Sequence, residues 1–265
     1  MALIIKRPSA ASLSEKGAGC PKDNIEGRIH STEIGGAVDG PGVRFVLFLA
    51  GCALRCQYCH NPDSWSLKNG RLTTASQIKD EIASYAHFLK RAGGGLTLSG
   101  GEPLVQPEFT KTILKAAKAL GLHTAIDTSG FLGAQADDDL LADTDLVLLD
   151  IKAFSEKRYK EITGVNLQPT LSFARRLAAI KKPIWLRYVL VPGLTDNYNE
   201  IANLADFAAT LGNVERVDVL PFHKMGEYKW KSLGLSYQLE KTQPPSEAQL
   251  AKVRQIFQDN GLKLS

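Results

Sequence analysis

Six strand-like runs alternate with amphipathic helical segments, and this serial order restricts the available folds more than any other feature of the chain. The runs are VRFVLFLAG (43–51), GLTLSGG (95–101), HTAIDTSG (123–130), LVLLDIK (146–152), IWLRYVLVPG (184–193) and RVDVLPFH (216–223). Most are apolar at consecutive positions, as strands buried on both faces of a parallel sheet are. Helical periodicity fills the intervals. Segment 74–91 opens on Thr-x-x-Gln, a capping-box pattern, and places Ile78, Ile82, Tyr85 and Leu89 on one face. Segment 107–121 begins at Pro107 and stops at Gly121. Further helices are expected over 137–142, 171–181, 199–211 and 246–260, with 225–245 as a long loop. Six such units in series imply right-handed crossovers and a parallel sheet. The expected fold is α/β, a partial (β/α)6 TIM-like barrel with parallel strands, two units short of the eightfold barrel.

One domain over 27–265 accommodates all six units, preceded by a flexible tail over 1–26. The tail's apolar stretch, ALII, is too short for a secretory segment, which needs about 7–15 apolar residues. No apolar run reaches the roughly 18 residues that span a bilayer. The net charge is +4, but Lys and Arg are dispersed, which does not mark a nucleic-acid surface. A monomer in the cytoplasm, binding neither membrane nor nucleic acid, is the expectation.

In parallel α/β folds the reactive site lies at the carboxyl ends of the strands. The first strand here runs into GCALRCQYCHNPDSW (51–65), which holds Cys52, Cys56 and Cys59. The chain's fourth cysteine, Cys20, lies in the tail, and four cysteines in 265 residues make no disulfide scaffold. Crowded thiolates select iron–sulfur clusters, zinc or copper(I). Three of them suit a cubane cluster with one iron left open. They also suit a Cys3His zinc site completed by His60, which requires adjacent Cys59 and His60 to face one ion. The other strands end in Ser99-Gly100-Gly101-Glu102, Asp127-Thr128-Ser129-Gly130, Asp150-Ile151-Lys152, the Arg187 strand, and Leu220-Pro221-Phe222-His223. All six endings converge on one rim.

The Cys-x-x-x-Cys-x-x-Cys spacing, with Tyr58 before the last cysteine, resembles the radical S-adenosylmethionine (SAM) superfamily. DGPGVRFVLFLAGCALRCQYCHNPDSW (39–65) resembles the glycyl-radical-enzyme activating enzymes, and the similarity continues through GGGLTLSGGEP, RYVLVPG and LPFHKMGEYKW. No cysteine-rich ferredoxin-like insertion follows the loop, which favours the type that acts on pyruvate formate-lyase. The resemblance implies a [4Fe–4S] cluster on Cys52, Cys56 and Cys59, with SAM on the open iron. Flavodoxin or ferredoxin would supply the electron. SAM would then yield methionine and a 5′-deoxyadenosyl radical, which takes a hydrogen from a glycine Cα of the partner. No protein acid or base is required.

The implied SAM contacts are Tyr58, Cys59, His60, Gly100, Gly101, Glu102, Asp150, Ile151, Lys152, Arg187 and His223. Glu102 would accept from the ammonium group and Arg187 would face the carboxylate. Asp127, Thr128, Leu148 (through its carbonyl) and Asp150 match a monovalent-cation site. Asp39 would meet the partner's glycine loop, which the open barrel admits from the side. Competing readings are a radical SAM enzyme acting on a small molecule or RNA, and a zinc-stabilised binding protein.

Overall fold

The computed structural model describes residues 25–265. Its strands, in chain order, are β1 (Glu26–Gly36), β2 (Arg44–Leu49), β3 (Arg71–Thr74), β4 (Gly95–Gly100), β5 (His123–Thr128), β6 (Leu146–Asp150), β7 (Ile184–Leu190) and β8 (Val214–Pro221). They form one sheet in the order β3-β1-β2-β4-β5-β6-β7-β8. From β2 to β8 every neighbouring pair is parallel, which is the expected six-stranded array. The expectation omitted an antiparallel edge, in which β1 pairs with both β2 and β3. These strands carry a weak signal because β1 is mostly polar, with Ile29 and Ile34 as its large apolar residues, and β3 has only four residues. The expected tail reached residue 26, yet Glu26 already belongs to β1. Residues 1–24 of that tail, Cys20 included, lie outside the described residues.

The helices are α1 (Ala75–Arg91), α2 (Pro107–Ala119), α3 (Asp138–Ala142), α4 (Glu156–Thr163), α5 (Gln168–Ala179), α6 (Tyr198–Leu211), α7 (Glu227–Ser232) and α8 (Glu247–Asp259). Thr74 and Gln77 form the capping box expected at the start of α1, and Ser246 and Gln249 form another on α8. Such a cap contributes about 1 kcal/mol. Helix α4 was not expected. Its sequence, EKRYKEIT, is mostly charged, and it is held by Tyr159 and Ile162 beneath it, Ser155 at its start and left-handed Gly164 at its end. The 225–245 loop likewise contains a short helix, α7.

The period of two along each strand separates two kinds of core. One face of the sheet, with residues such as Val147, Leu149 and Leu186, packs under the helices in the main hydrophobic cluster. The other face lines the barrel. There Ala125, Leu146 and Leu148 form a small apolar cluster with Trp185, and the Arg216 guanidinium lies 3.8 Å from the Trp185 ring centre.

At the amino-terminal end of the barrel lies Arg44, wholly buried and, among the described residues, without a carboxylate in salt-bridge contact. It donates from Nε to Thr97 Oγ1 at 2.9 Å, and from Nη1 to the Pro41 carbonyl at 3.3 Å and to His123 Nδ1 at 3.2 Å. Nη2 donates to the carbonyls of Leu96 and His123. Burial lowers its pKa to about 10, so it stays charged at neutral pH. Carbonyl oxygens thus satisfy a cation that would otherwise be costly to bury.

Burial, and then the adjacent Arg44 charge, lower the pKa of His123 below the usual 6.5. The neutral ring is the one that fits, because Nδ1 accepts from Arg44. The stability it contributes is full above pH 6.5 and is lost as the pH falls through the depressed value. Thermal unfolding at pH 7.5 and 5.5 is expected to show a lower midpoint in acid. His123→Asn should shrink that difference without removing it, since half-buried His60 shifts in the same direction. An undiminished difference would assign the acid sensitivity elsewhere.

Candidate active site

A cavity of about 520 Å³ opens at the carboxyl rim of the strands. The cysteine loop forms one wall. Gly51, at φ +96°, turns the chain out of β2. Gly51 N donates to the Ser64 carbonyl at 2.7 Å and Cys52 N to the Trp65 carbonyl at 3.1 Å. Further along, Arg55 N and Gln57 N donate to the carbonyls of Thr163 and Ile162 at the end of α4. The unforeseen helix therefore anchors the middle of this loop.

Cys52, Cys56 and Cys59 are free thiols and all line the cavity. Burial pushes Cys52 up to about 12 and raises Cys56 and Cys59 as well. Thiols so placed ionise only when positive charge arrives, as it does with a metal group. Among the described residues no three His, Cys, Asp or Glu side chains gather as ligands of a single ion. A cubane asks for something different, three thiols facing one space, because each binds its own iron. His60 is engaged by His223. Its ring stacks on His223 at 4.1 Å, and its Nε2 donates to the His223 carbonyl at 3.1 Å.

The inward-facing strand residues form a polar belt above the apolar floor. Ser99 Oγ donates to Asp127 Oδ2 at 2.7 Å, and Arg187 Nη1 lies 3.1 Å from the same oxygen. The pairing with Asp127 holds Arg187 above its ordinary pKa. Lys152 pairs with Asp150, and its ammonium stands 5.6 Å from the Tyr58 ring centre. Burial works against that charge, but Asp150, Tyr58 and Cys56 together more than offset it and the Lys152 pKa rises. Register explains the belt, because Asp150 aligns with Arg187 and Arg187 with Asp218.

Four residues of this cavity carry a buried polar atom with no hydrogen-bond partner among the described residues: Tyr58 OH, Asp150 Oδ1, Arg187 Nε and His223 Nδ1. Such atoms are rare in a finished interior, and four around one space are the mark of a polar ligand. Together with three thiols they suit the donor needs of an iron–sulfur cluster and a zwitterionic cosubstrate.

Most residues singled out from the sequence meet here: Asp39, Tyr58, His60, Gly100, Gly101, Asp127, Thr128, Asp150, Lys152, Arg187 and His223, with the three cysteines. Three do not line the space. Ile151 is fully buried, and Leu148 belongs to the floor. Glu102 is 1% exposed and its carboxylate is already engaged. It accepts from Thr128 Oγ1 at 2.7 Å, from Ser129 N and Oγ at 3.0 and 2.7 Å, and from Leu104 N at 3.2 Å. It braces the ends of β4 and β5 against each other, in place of the expected bond to an ammonium group.

The two glycines line the cavity and have a packing role as well. A Cβ on Gly101 would lie 2.3 Å from the Gly51 carbonyl oxygen, and one on Gly100 would lie 2.3 Å from the Leu49 backbone. Their bareness lets β4 approach the cysteine loop. Phe48, Trp65, Ser99 and Leu220 also line the cavity and had been given no role of their own. The period-two alternation of the strands was the available signal for Phe48, Ser99 and Leu220.

The profile of the radical SAM superfamily matches residues 46–207. Pyruvate formate-lyase 1-activating enzyme of Escherichia coli K12 is 40% identical over 243 residues, covering 91% of this chain and 99% of that protein. Pyruvate formate-lyase-activating enzyme of Staphylococcus epidermidis is 42% identical over 246 residues, covering 89% and 97%. Among solved structures, a domain of pyruvate-formate lyase-activating enzyme from Bacteroides vulgatus matches with a TM-score of 0.56 at 31% identity, covering 65% of this chain and 98% of that one. SuiB of Streptococcus suis, bound to its precursor peptide SuiA, matches with a TM-score of 0.63 at 18% identity, covering 83% and 47%, and shares the fold.

Proposed function

The chain belongs to the radical SAM superfamily and, within it, to the pyruvate formate-lyase activating enzymes; on that premise we propose that its rim cavity installs a glycyl radical on pyruvate formate-lyase. The observation that carries the site assignment is the meeting of three free thiols and four unpartnered polar atoms in one space. In this reading Cys52, Cys56 and Cys59 hold a [4Fe–4S] cluster. When bound, the cluster and SAM supply one-electron reductive cleavage of a carbon–sulfur bond and, through it, hydrogen-atom abstraction.

The residues have distinct duties. Arg187, with Nε still free, pairs with the carboxylate of SAM, a charge-assisted contact of about 1.5–3 kcal/mol. Tyr58, His60 and His223 receive the nucleoside. Asp150 Oδ1, unpartnered, joins the carbonyl of Leu148 and the residues Asp127 and Thr128 as ligands of a monovalent cation. Phe48, Leu54, Val189 and Leu220 line the same space with apolar surface and exclude water from it. Asp39, also on the lining, faces the entering glycine loop. Its pKa is raised by burial and then by Asp127, so its carboxyl is readier than usual to donate a hydrogen bond.

The decisive experiment mixes the reconstituted, reduced protein with SAM and pyruvate formate-lyase without oxygen. A glycyl radical doublet in electron paramagnetic resonance is expected. Accelerated SAM cleavage by a small molecule or an RNA, with no doublet from any glycyl radical enzyme, would overturn the reading. Flavodoxin or ferredoxin is the proposed electron donor, tested by replacing the chemical reductant with either protein.

A further inference from the structure

Residues 223–230 lie across the end of the cysteine loop and hold it through the side chains of His223, Lys229 and Trp230, with Gly226 packed against it. The His223 ring stacks on His60, and its carbonyl accepts from His60 Nε2 at 3.1 Å. Gly226 approaches so closely that a Cβ there would stand 2.7 Å from His60 Cα. Lys229 Nζ donates to Asn61 Oδ1 at 2.8 Å and lies 3.0 Å from Asp63 Oδ2. Trp230 Nε1 donates to the Cys59 carbonyl at 2.9 Å. Its ring meets Trp65 edge-on at 5.2 Å and Tyr237 at 5.3 Å.

Two further facts give this strap weight. It leaves β8 while the cysteine loop leaves β2, and these are the first and last parallel strands of an open sheet, with no pairing between them. It therefore joins the two sides of the barrel's gap at the rim. The loop, moreover, has separate anchors. Its start is bonded to Ser64 and Trp65 and its middle to α4. Among the described residues, the hydrogen bonds reaching Cys59 and His60 from outside residues 51–65 come from the strap.

We propose that residues 223–230 act as a clamp on the cluster loop, with Trp230 and Lys229 as positioning residues. The clamp fixes the peptide of the last cysteine, and it ends on His223, which faces the cosubstrate cavity with an unpartnered Nδ1. A ligand that engages His223 steadies the strap, and the strap steadies Cys59. SAM and the cluster thus protect one another through the protein as well as through any direct contact. The inference rests on the reading of Cys52, Cys56 and Cys59 as the cluster ligands.

The test uses the full chain, reconstituted and reduced, and follows iron release to the ferrous chelator bathophenanthroline disulfonate with and without SAM. Trp230→Phe removes the N–H and keeps an aromatic ring; Lys229→Met removes the ammonium and keeps the aliphatic stem. Each variant is expected to take up the full cluster, melt as the wild type does, and release iron about five- to tenfold faster, the equivalent of one lost hydrogen bond. The protection given by SAM should shrink in both. Wild-type release rates with undiminished protection in both variants overturn the clamp. So does faster release that only follows a lowered melting temperature, since that marks a merely structural role. Should Trp230→Phe fail to fold, Lys229→Met alone decides. A wild-type chain that takes up no iron sinks the cluster reading instead, which separates the two failures.

Discussion

Cys56→Ala is expected to give a folded chain with no glycyl radical signal and a deficient cluster. Cys56 is the most buried of the three loop cysteines and sits between Arg55 and Gln57, whose N–H groups are both anchored on α4. Removing its sulfur leaves two thiols, and a cubane held at two corners by protein is labile. The folding cost is small, on the order of 1 kcal/mol for one buried heavy atom, so circular dichroism and melting should stay near wild type. Iron and sulfide analysis and the radical doublet are the readouts. A persistent doublet would mean that the cluster is held elsewhere.

Gly101→Ala is expected to damage the fold and the site together. The added Cβ would stand 2.3 Å from the Gly51 carbonyl oxygen and 3.1 Å from that of Ser64. Both are backbone atoms and neither has a rotamer to change. The same stretch carries two hydrogen bonds, from Gly101 N to the Leu49 carbonyl and from Glu102 N to the Gly51 carbonyl, each 2.8 Å. Relief of the clash must part β4 from the cysteine loop and break them. Overpacking and two lost bonds cost about 3 kcal/mol together, which lowers the melting midpoint by roughly 10 °C in a chain of this size. Cluster uptake should fall with it. A variant melting within a degree of wild type would deny the close backbone contact.

These two residues differ in how readable they were. Cys56 is legible because thiolate chemistry depends on residue type and spacing within one short loop. Gly101 was legible as a site of close approach, but not as to what approaches. The sequence suggested a ligand; the neighbour is Gly51, fifty residues away. Glu102 repeats the point. Its carboxylate looked free for an ammonium group, yet Thr128 and Ser129 at the end of the next strand consume it. Lys229 and Trp230 lay in a segment without period, and their worth depends on where β8 delivers them.

The sequence by itself determined the six parallel βα units, the capping box at Thr74, the cysteine loop and the rim on which the strand ends gather. Those properties arise from local forces: periodic burial, the unpaired N–H groups of a helix start, and thiolate spacing. Tertiary structure alone decided the antiparallel edge of β1 and β3, the polar belt from Ser99 to Asp218, the brace at Glu102 and the strap over Cys59. Each depends on which residues face one another once the sheet curls. That pairing sums many weak contacts between segments distant in the chain, and no short window of sequence contains it.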